Sequence, residues 1–323
     1  MFEEVEMTRF RGQSVGIATG GSSHEREISL QTGRAFEQAL ASLDYDVTVY
    51  DVASDLGQIV GDRPAAMLLG IHGGLGESGA LQGFLESLAI PYTGSGVLAS
   101  ALAMDKRRAR IVCDAAGIPV ARGFGLRQAE LSRRPEIIDR AADEVGFPMV
   151  AKLNDSGSSF GVYICRNRKS LDDALGRLQD DVGQATSSGV LIEEFIEGPE
   201  YTVGFFDDRC LGVVRIRPGE GFYDFEAKYE SSDTEYDIVT DLAITEPLEQ
   251  WSRAAFGELG CRGVARVDFK GEPGSDDPVV MLEANTIPGM TATSLVPKMA
   301  AHKGVEFADF VEAMLATARL DDG

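Results

Sequence analysis

Two pairs of polar residues interrupt apolar runs near the C-terminus: Arg266 and Asp268 in VARVDF, and Glu283 and Asn285 in VVMLEAN. Residues two apart share one face of an extended strand, so each pair projects together. If the two strands are neighbours, two carboxylates, an amide oxygen and a guanidinium converge. Two carboxylates and an amide are hard ligands suited to Mg²⁺ shared with phosphates and water. The competing reading is an ion pair of arginine and acid on a wet sheet face. Polar groups in otherwise buried runs need compensation, and a metal with bound phosphate supplies it. We therefore read Asp268, Glu283 and Asn285 as metal ligands. The chain continues as EANTIPGMTATSLVP, 283–297. Its Pro288-Gly289 turn brings backbone N–H groups to the reacting centre, and Thr291, Thr293 and Ser294 offer hydroxyls to a substrate carboxylate.

A second constellation lies mid-chain. The loop 155–161, DSGSSFG, joins two strand-like runs, and its glycines let backbone N–H groups approach an anion closely. Lys152 closes the preceding strand and Lys106 opens an earlier helix, so both could serve as point charges on phosphates. A solvated hairpin turn with surface lysines explains the loop alone equally well. Glu193 and Glu194 end the run GVLIEEF, where an acid either meets a ribose hydroxyl or is simply solvated. Gly74-Leu75-Gly76-Glu77-Ser78-Gly79 spells G-x-G-x-x-G between a strand and a helix. It follows the third candidate strand, with no acid some twenty residues on, so it fits a dinucleotide-binding unit poorly.

These groups need a scaffold. The runs 14–19, 46–52 and 65–71 read as short buried strands, and Phe36, Leu40 and Leu43 mark a helix between the first two. That order predicts a mostly parallel α/β layer over the first hundred residues. Further helices are expected in LQGFLESLAI and in DKRRARIVCDAAG. The middle reads as strand, loop, strand, helix, strand. After Phe195 come four strand runs, EYTVGFF, LGVVRIR, VARVDFK and PVVMLEAN, expected to be mostly antiparallel, with helices near 246–259 and 305–318.

Composition narrows the function. At 323 residues the chain exceeds one ordinary core. A formal charge of −22 argues against a nucleic-acid backbone as partner, though not against an anionic small molecule in a locally basic cleft. Four widely spaced cysteines suit a reducing cytoplasm and argue against structural zinc. No apolar run approaches the ~20 residues of a membrane span, and the leader MFEEVEMTRFRGQ is too polar for a signal peptide.

Taken in order, seven motifs resemble the D-alanine–D-alanine ligases of the ATP-grasp superfamily: GGSSHEREISL (20–30), HGGLGESGALQGFLESLAIPYTGSGVLASALAMDK (72–106), GSSFGV (157–162), LIEEFIEGPEYTV (191–203), FYDFEAKY (222–229), ARVDF (265–269) and EANTIPGMTATSLVP (283–297). The resemblance implies a mixed α/β and α+β fold of three domains: an N-terminal α/β domain over 1–105, a small central domain over 106–194 and a catalytic domain over 195–323, the last two clasping ATP. It implies that ATP phosphorylates the carboxylate of one D-alanine, and that the amine of a second attacks the acyl phosphate to give a peptidoglycan precursor. By the same resemblance, Glu25 holds the first substrate's ammonium in a chain with Ser158 and Tyr229, with His72 close by. Lys106, Lys152 and Lys228 meet phosphates, and Glu193 and Glu200 meet the ribose side of ATP. Asp268, Glu283 and Asn285 hold Mg²⁺, two ions in all, with Mn²⁺ as an alternative. Arg266 and the Gly289 N–H stabilise the oxyanion, while Ser294 and the Leu295 N–H take the second substrate's carboxylate. The family also implies a cytoplasmic homodimer with neither nucleic-acid nor membrane partners. Tyr229 favours D-alanine over D-lactate.

Overall fold

The structure, a computed structural model, describes residues 8–158, 160–184, 189–217, 234–274, 279–291 and 293–321. Its strands form three sheets. In the first, β1 (Ser14–Thr19) lies between β2 (Asp46–Asp51) and β3 (Met67–Leu69), all parallel. This is the expected opening layer, and the helix Arg26–Ser42 covers it with Phe36, Ala39 and Leu40. The helix expected after Asp105 runs over Lys106–Ala115. Asp105 caps it by accepting the Arg108 N–H at 3.0 Å, which places Lys106 in the first turn.

The second sheet has the order β4-β7-β5-β6, where β4 is Gly123–Arg127, β5 Met149–Leu153, β6 Val162–Cys165 and β7 Gly189–Glu194. All its pairings are antiparallel, and the β5–β6 hairpin carries the Gly/Ser loop as expected. The third sheet is antiparallel in the order β10-β9-β8-β11-β12. Its strands are β8 (Glu200–Phe206), β9 (Arg209–Arg217), β10 (Glu235–Val239), β11 (Val264–Lys270) and β12 (Val280–Asn285). Strand β10 was not anticipated from the sequence.

Burial explains how the third sheet presents chemistry on one face. Along β11, Ala265, Val267 and Phe269 point into the core, while Arg266, Asp268 and Lys270 take the other face. On β12 the same alternation would put Met281 beside Glu283. Instead the register slips between Asp268 and Phe269: Asp268 pairs with Glu283, but Phe269 pairs with Met281. Leu282 is the extra residue of a β-bulge, so Met281 is buried in the core while Glu283 and Asn285 face the cleft.

Among the described residues, four apolar cores follow the sheets unevenly. The second sheet has its own, from Phe124 to Ile192. The first sheet shares one with the third and with the C-terminal helices, where Val15, Ile17 and Phe36 join Phe206, Val296 and Phe310. Truncating a fully buried Phe310 to alanine removes contacts worth about 3–5 kcal/mol at such a site. The four cysteines are free. Among the described residues, no helix is long and apolar enough to cross a membrane.

Candidate active site

The second and third sheets face each other across a cleft of about 800 Å³. Lys152 of β5 and Glu193 of β7 line one wall, and Glu200, Asp268 and Glu283 line the other. Behind it opens a larger cavity bounded by Glu25, His72, Ser158, Arg266, Gly289 and Ser294, among others. Glu200, Asp268 and Glu283 border both spaces.

The expected convergence on β11 and β12 is present. Arg266 stands directly opposite Asn285, and Asp268 opposite Glu283. The guanidinium of Arg266 grips Asp268 with two parallel bonds, Nε to Oδ1 and Nη2 to Oδ2, each 2.8 Å. Thr202, fully buried on β8, donates to Asp268 Oδ1 at 2.6 Å. The Asn285 Oδ1 accepts the Ile287 N–H at 3.1 Å. Thus the arginine–acid ion pair and the candidate ligand set coexist on one face. Among the described residues no group of three His, Cys, Asp or Glu side chains forms a metal cluster. Two carboxylates with an amide still make a hard donor set that fits Mg²⁺ bridged to phosphate oxygens.

The lysines are already engaged. Lys106 Nζ lies 3.0 Å from Glu283 Oε2 and donates to the Ser156 carbonyl at 2.6 Å. Burial, the largest single influence, would lower its pKa, but the charge and hydrogen bond of Glu283, with the charges of Asp155 and Glu77, together outweigh it and hold the ammonium above its ordinary value. Lys152 Nζ sits 2.5 Å from Glu193 Oε1. Glu193 is buried, with Arg110 Nη1 3.9 Å from its other oxygen, so this acid holds two cations in the cleft wall. Glu200 pairs with Lys270 at 3.1 Å, its cross-strand neighbour. Lys228 and Tyr229 lie outside the described residues.

At the other end, Glu25 precedes the helix Arg26–Ser42 and is 5% exposed. Its Oε1 accepts a very short hydrogen bond from Ser158 Oγ. Its Oε2 is buried with no hydrogen-bond partner. A buried carboxylate oxygen without a donor is costly, and an incoming ammonium would relieve it. Gly73 and Gly157 make room for this group, since a Cβ on either would come within 2.7 Å of Oε2. Ser158 itself adopts a left-handed backbone, φ 51°, a conformation that L-residues hold only when their surroundings impose it.

His72 lies between β3 and the cavity, with both ring nitrogens engaged. Nδ1 is 2.9 Å from the Ile287 carbonyl and Nε2 is 2.9 Å from Thr32 Oγ1. Burial pushes its pKa down, so the ring is neutral. A carbonyl only accepts, so Nδ1 carries the hydrogen and Nε2 accepts from the threonine. The ring therefore shapes the cavity wall.

The hydroxyl cluster forms as expected in kind. Thr291 Oγ1 lies 3.1 Å from Thr293 Oγ1 and 2.9 Å from Ser294 Oγ, and Ser294 accepts the Thr291 N–H at 3.1 Å. Ser294 precedes the helix Leu295–His302, and Ser294 and Leu295 at its N-terminal, dipole-positive end line the cavity.

One acid was missed. Glu77 is buried, accepts the Gly73 N–H at 2.6 Å and borders both the cavity and the space around Lys106. Burial first, then the charges of Glu25 and Glu283, push its carboxyl up to about 8. Its signal was present in G-x-G-x-x-G, where the glycines attract notice and the acid does not.

Two facing sheets that enclose lysines and acids, set against a parallel layer that supplies a buried carboxylate, define an ATP-grasp enzyme. Residues 112–316 match the model of the D-ala D-ala ligase C-terminus family. The chain is 41% identical to a D-alanine–D-alanine ligase of Geobacter sulfurreducens, covering 97% of each, and 40% identical to one of Xanthobacter autotrophicus, covering 95% of this chain and 98% of that one. Its fold matches the crystal structure of a Bacillus anthracis D-alanine–D-alanine ligase complexed with ATP at a TM-score of 0.78 and 31% identity, over 94% of this chain and 96% of that one. The chain belongs to the D-alanine–D-alanine ligase family.

Proposed function

We propose that the protein joins two D-alanine molecules into D-alanyl-D-alanine for peptidoglycan precursor synthesis, converting ATP to ADP and phosphate. The observation that carries this reading is that Glu200, Asp268 and Glu283 border both the inter-sheet cleft and the rear cavity. A phosphoryl donor in the first and an amino acid in the second meet at those residues.

The first D-alanine enters with its ammonium on the orphaned Oε2 of Glu25, an acid that Ser158 fixes; the family resemblance assigns Tyr229, outside the described residues, to the same chain. A carboxylate is a poor electrophile. Transfer of the γ-phosphoryl group from ATP to its oxygen expels ADP, removes the charge and installs a leaving group. The deprotonated amine of the second D-alanine then attacks the acyl carbon, and phosphate departs from the tetrahedral intermediate. Arg266 and the Gly289 N–H stabilise the oxyanion of that intermediate, and Ser294 with the Leu295 N–H holds the second carboxylate. Lys106, Lys152 and Lys228 bind phosphates; Glu193 and Glu200 take the ribose side, Glu193 while also holding Lys152. Asp268, Glu283 and Asn285 would hold Mg²⁺, two ions in all or Mn²⁺ in its place, which neutralises charge on the phosphates. Catalysis is then mainly positioning and electrostatics.

The same reading assigns residues 1–105, 106–194 and 195–323 to three domains, a homodimer to the assembly and the cytoplasm to its location. The deciding experiment is phosphate release from Mg²⁺ and ATP with D-alanine or L-alanine, with the dipeptide identified by mass. Release without dipeptide, or equal rates with both enantiomers, overturns the proposal.

A further inference from the structure

His24 and Phe160 stack across the seam between the turn that carries Glu25 and the loop that carries Ser158. Their ring centroids are 4.8 Å apart with an interplanar angle of 27°. His24 Nε2 also lies 3.4 Å from the Gly157 carbonyl. His24 borders the rear cavity, and Phe160 borders the inter-sheet cleft. The stack therefore stands between the two substrate spaces, touching a loop whose left-handed Ser158 needs support from outside itself.

We infer that His24 is a positioning residue that ties the nucleotide loop to the amino-acid site, so that occupancy of either strengthens binding at the other. The inference rests on the reading above, in which Glu25 meets the first D-alanine and the loop meets phosphates. A ligand on Glu25 fixes Ser158 through their shared hydrogen bond, and the aromatic stack fixes the far side of the same loop. With the loop already ordered, the second ligand loses less conformational freedom on binding, and the coupling is reciprocal by linkage. The ring carries this effect, because a stacked aromatic pair adds attraction beyond simple burial.

The test is calorimetric titration of a non-hydrolysable ATP analogue with Mg²⁺, with and without D-alanine, in the parent protein, His24→Ala, His24→Gln and His24→Phe. In the parent, D-alanine should tighten nucleotide binding. His24→Ala and His24→Gln should cut that factor by roughly 2- to 10-fold, the size an aromatic pair supplies, and His24→Phe should restore it. In steady state the alanine variant should raise KM for both substrates more than it lowers kcat. A parent without coupling, an unchanged factor in His24→Ala, or equal losses in His24→Phe and His24→Ala overturns the inference. Glu25→Gln separates the two levels. If it leaves D-alanine binding unchanged, the site reading fails and this inference falls with it. If it weakens D-alanine binding while His24→Ala keeps full coupling, the inference alone fails.

Discussion

Lys106 Nζ lies 3.0 Å from Glu283 Oε2 and 2.6 Å from the Ser156 carbonyl, so one ammonium bridges the metal-side acid and the phosphate-side loop. If Glu283 is a metal ligand as proposed, a cation held there would compete with this lysine and would free its ammonium for phosphate oxygens. Glu283→Gln should raise the Mg²⁺ concentration for half-maximal activity roughly 10-fold or more. An unchanged metal titration would remove Glu283 from the ligand set.

Arg266 is held in place by Asp268 before any substrate arrives. Arg266→Ala should lower kcat about 10²–10³-fold, or ~2.7–4 kcal/mol, as loss of an oxyanion donor does. Nucleotide affinity, read by calorimetry, should stay near the parental value. A variant with normal turnover would place the oxyanion elsewhere.

The orphaned Oε2 of Glu25 is expected to take a positive charge. Glu25→Gln keeps the shape and removes the charge, so KM for the first D-alanine should rise at least about 10-fold, since a charged hydrogen bond is worth ~1.5–3 kcal/mol. Ser158→Ala should give a smaller change in the same direction. Equal KM values in all three proteins would exclude an ammonium site there.

The buried carboxyl of Glu77, at about 8 against an ordinary 4.5, makes stability depend on pH. Between those values the folded chain keeps a proton that the unfolded chain has released, so stability falls as pH rises through that window. Glu77→Gln cannot titrate and should flatten the decline. The measurement is Tm against pH for both proteins without nucleotide; parallel curves would mean that Glu77 is charged throughout.

The sheets were legible where sequence period and burial agree. VARVDFK alternates cleanly, and β11 follows it residue by residue. Strand β4 escaped notice because its run, GFGLR, has glycine in place of β-branched residues. Strand β10 escaped because an edge strand carries acids that read as loop. In the site, pairs two apart in one strand were readable, and so was their meeting across neighbouring strands. What joins distant segments was not: Thr202 under Asp268 and Lys152 on Glu193 depend on three-dimensional packing that no local spacing encodes.

Leu282 sets the phase between chemistry and core. Were Leu282 an ordinary ladder residue and not bulged out, strict alternation would require Met281 and Glu283 to share a side, forcing either a thioether into the cleft or a carboxylate into the apolar interior. One bulged residue thus lets a side chain of the interior and a side chain of the cleft sit two positions apart on the same strand.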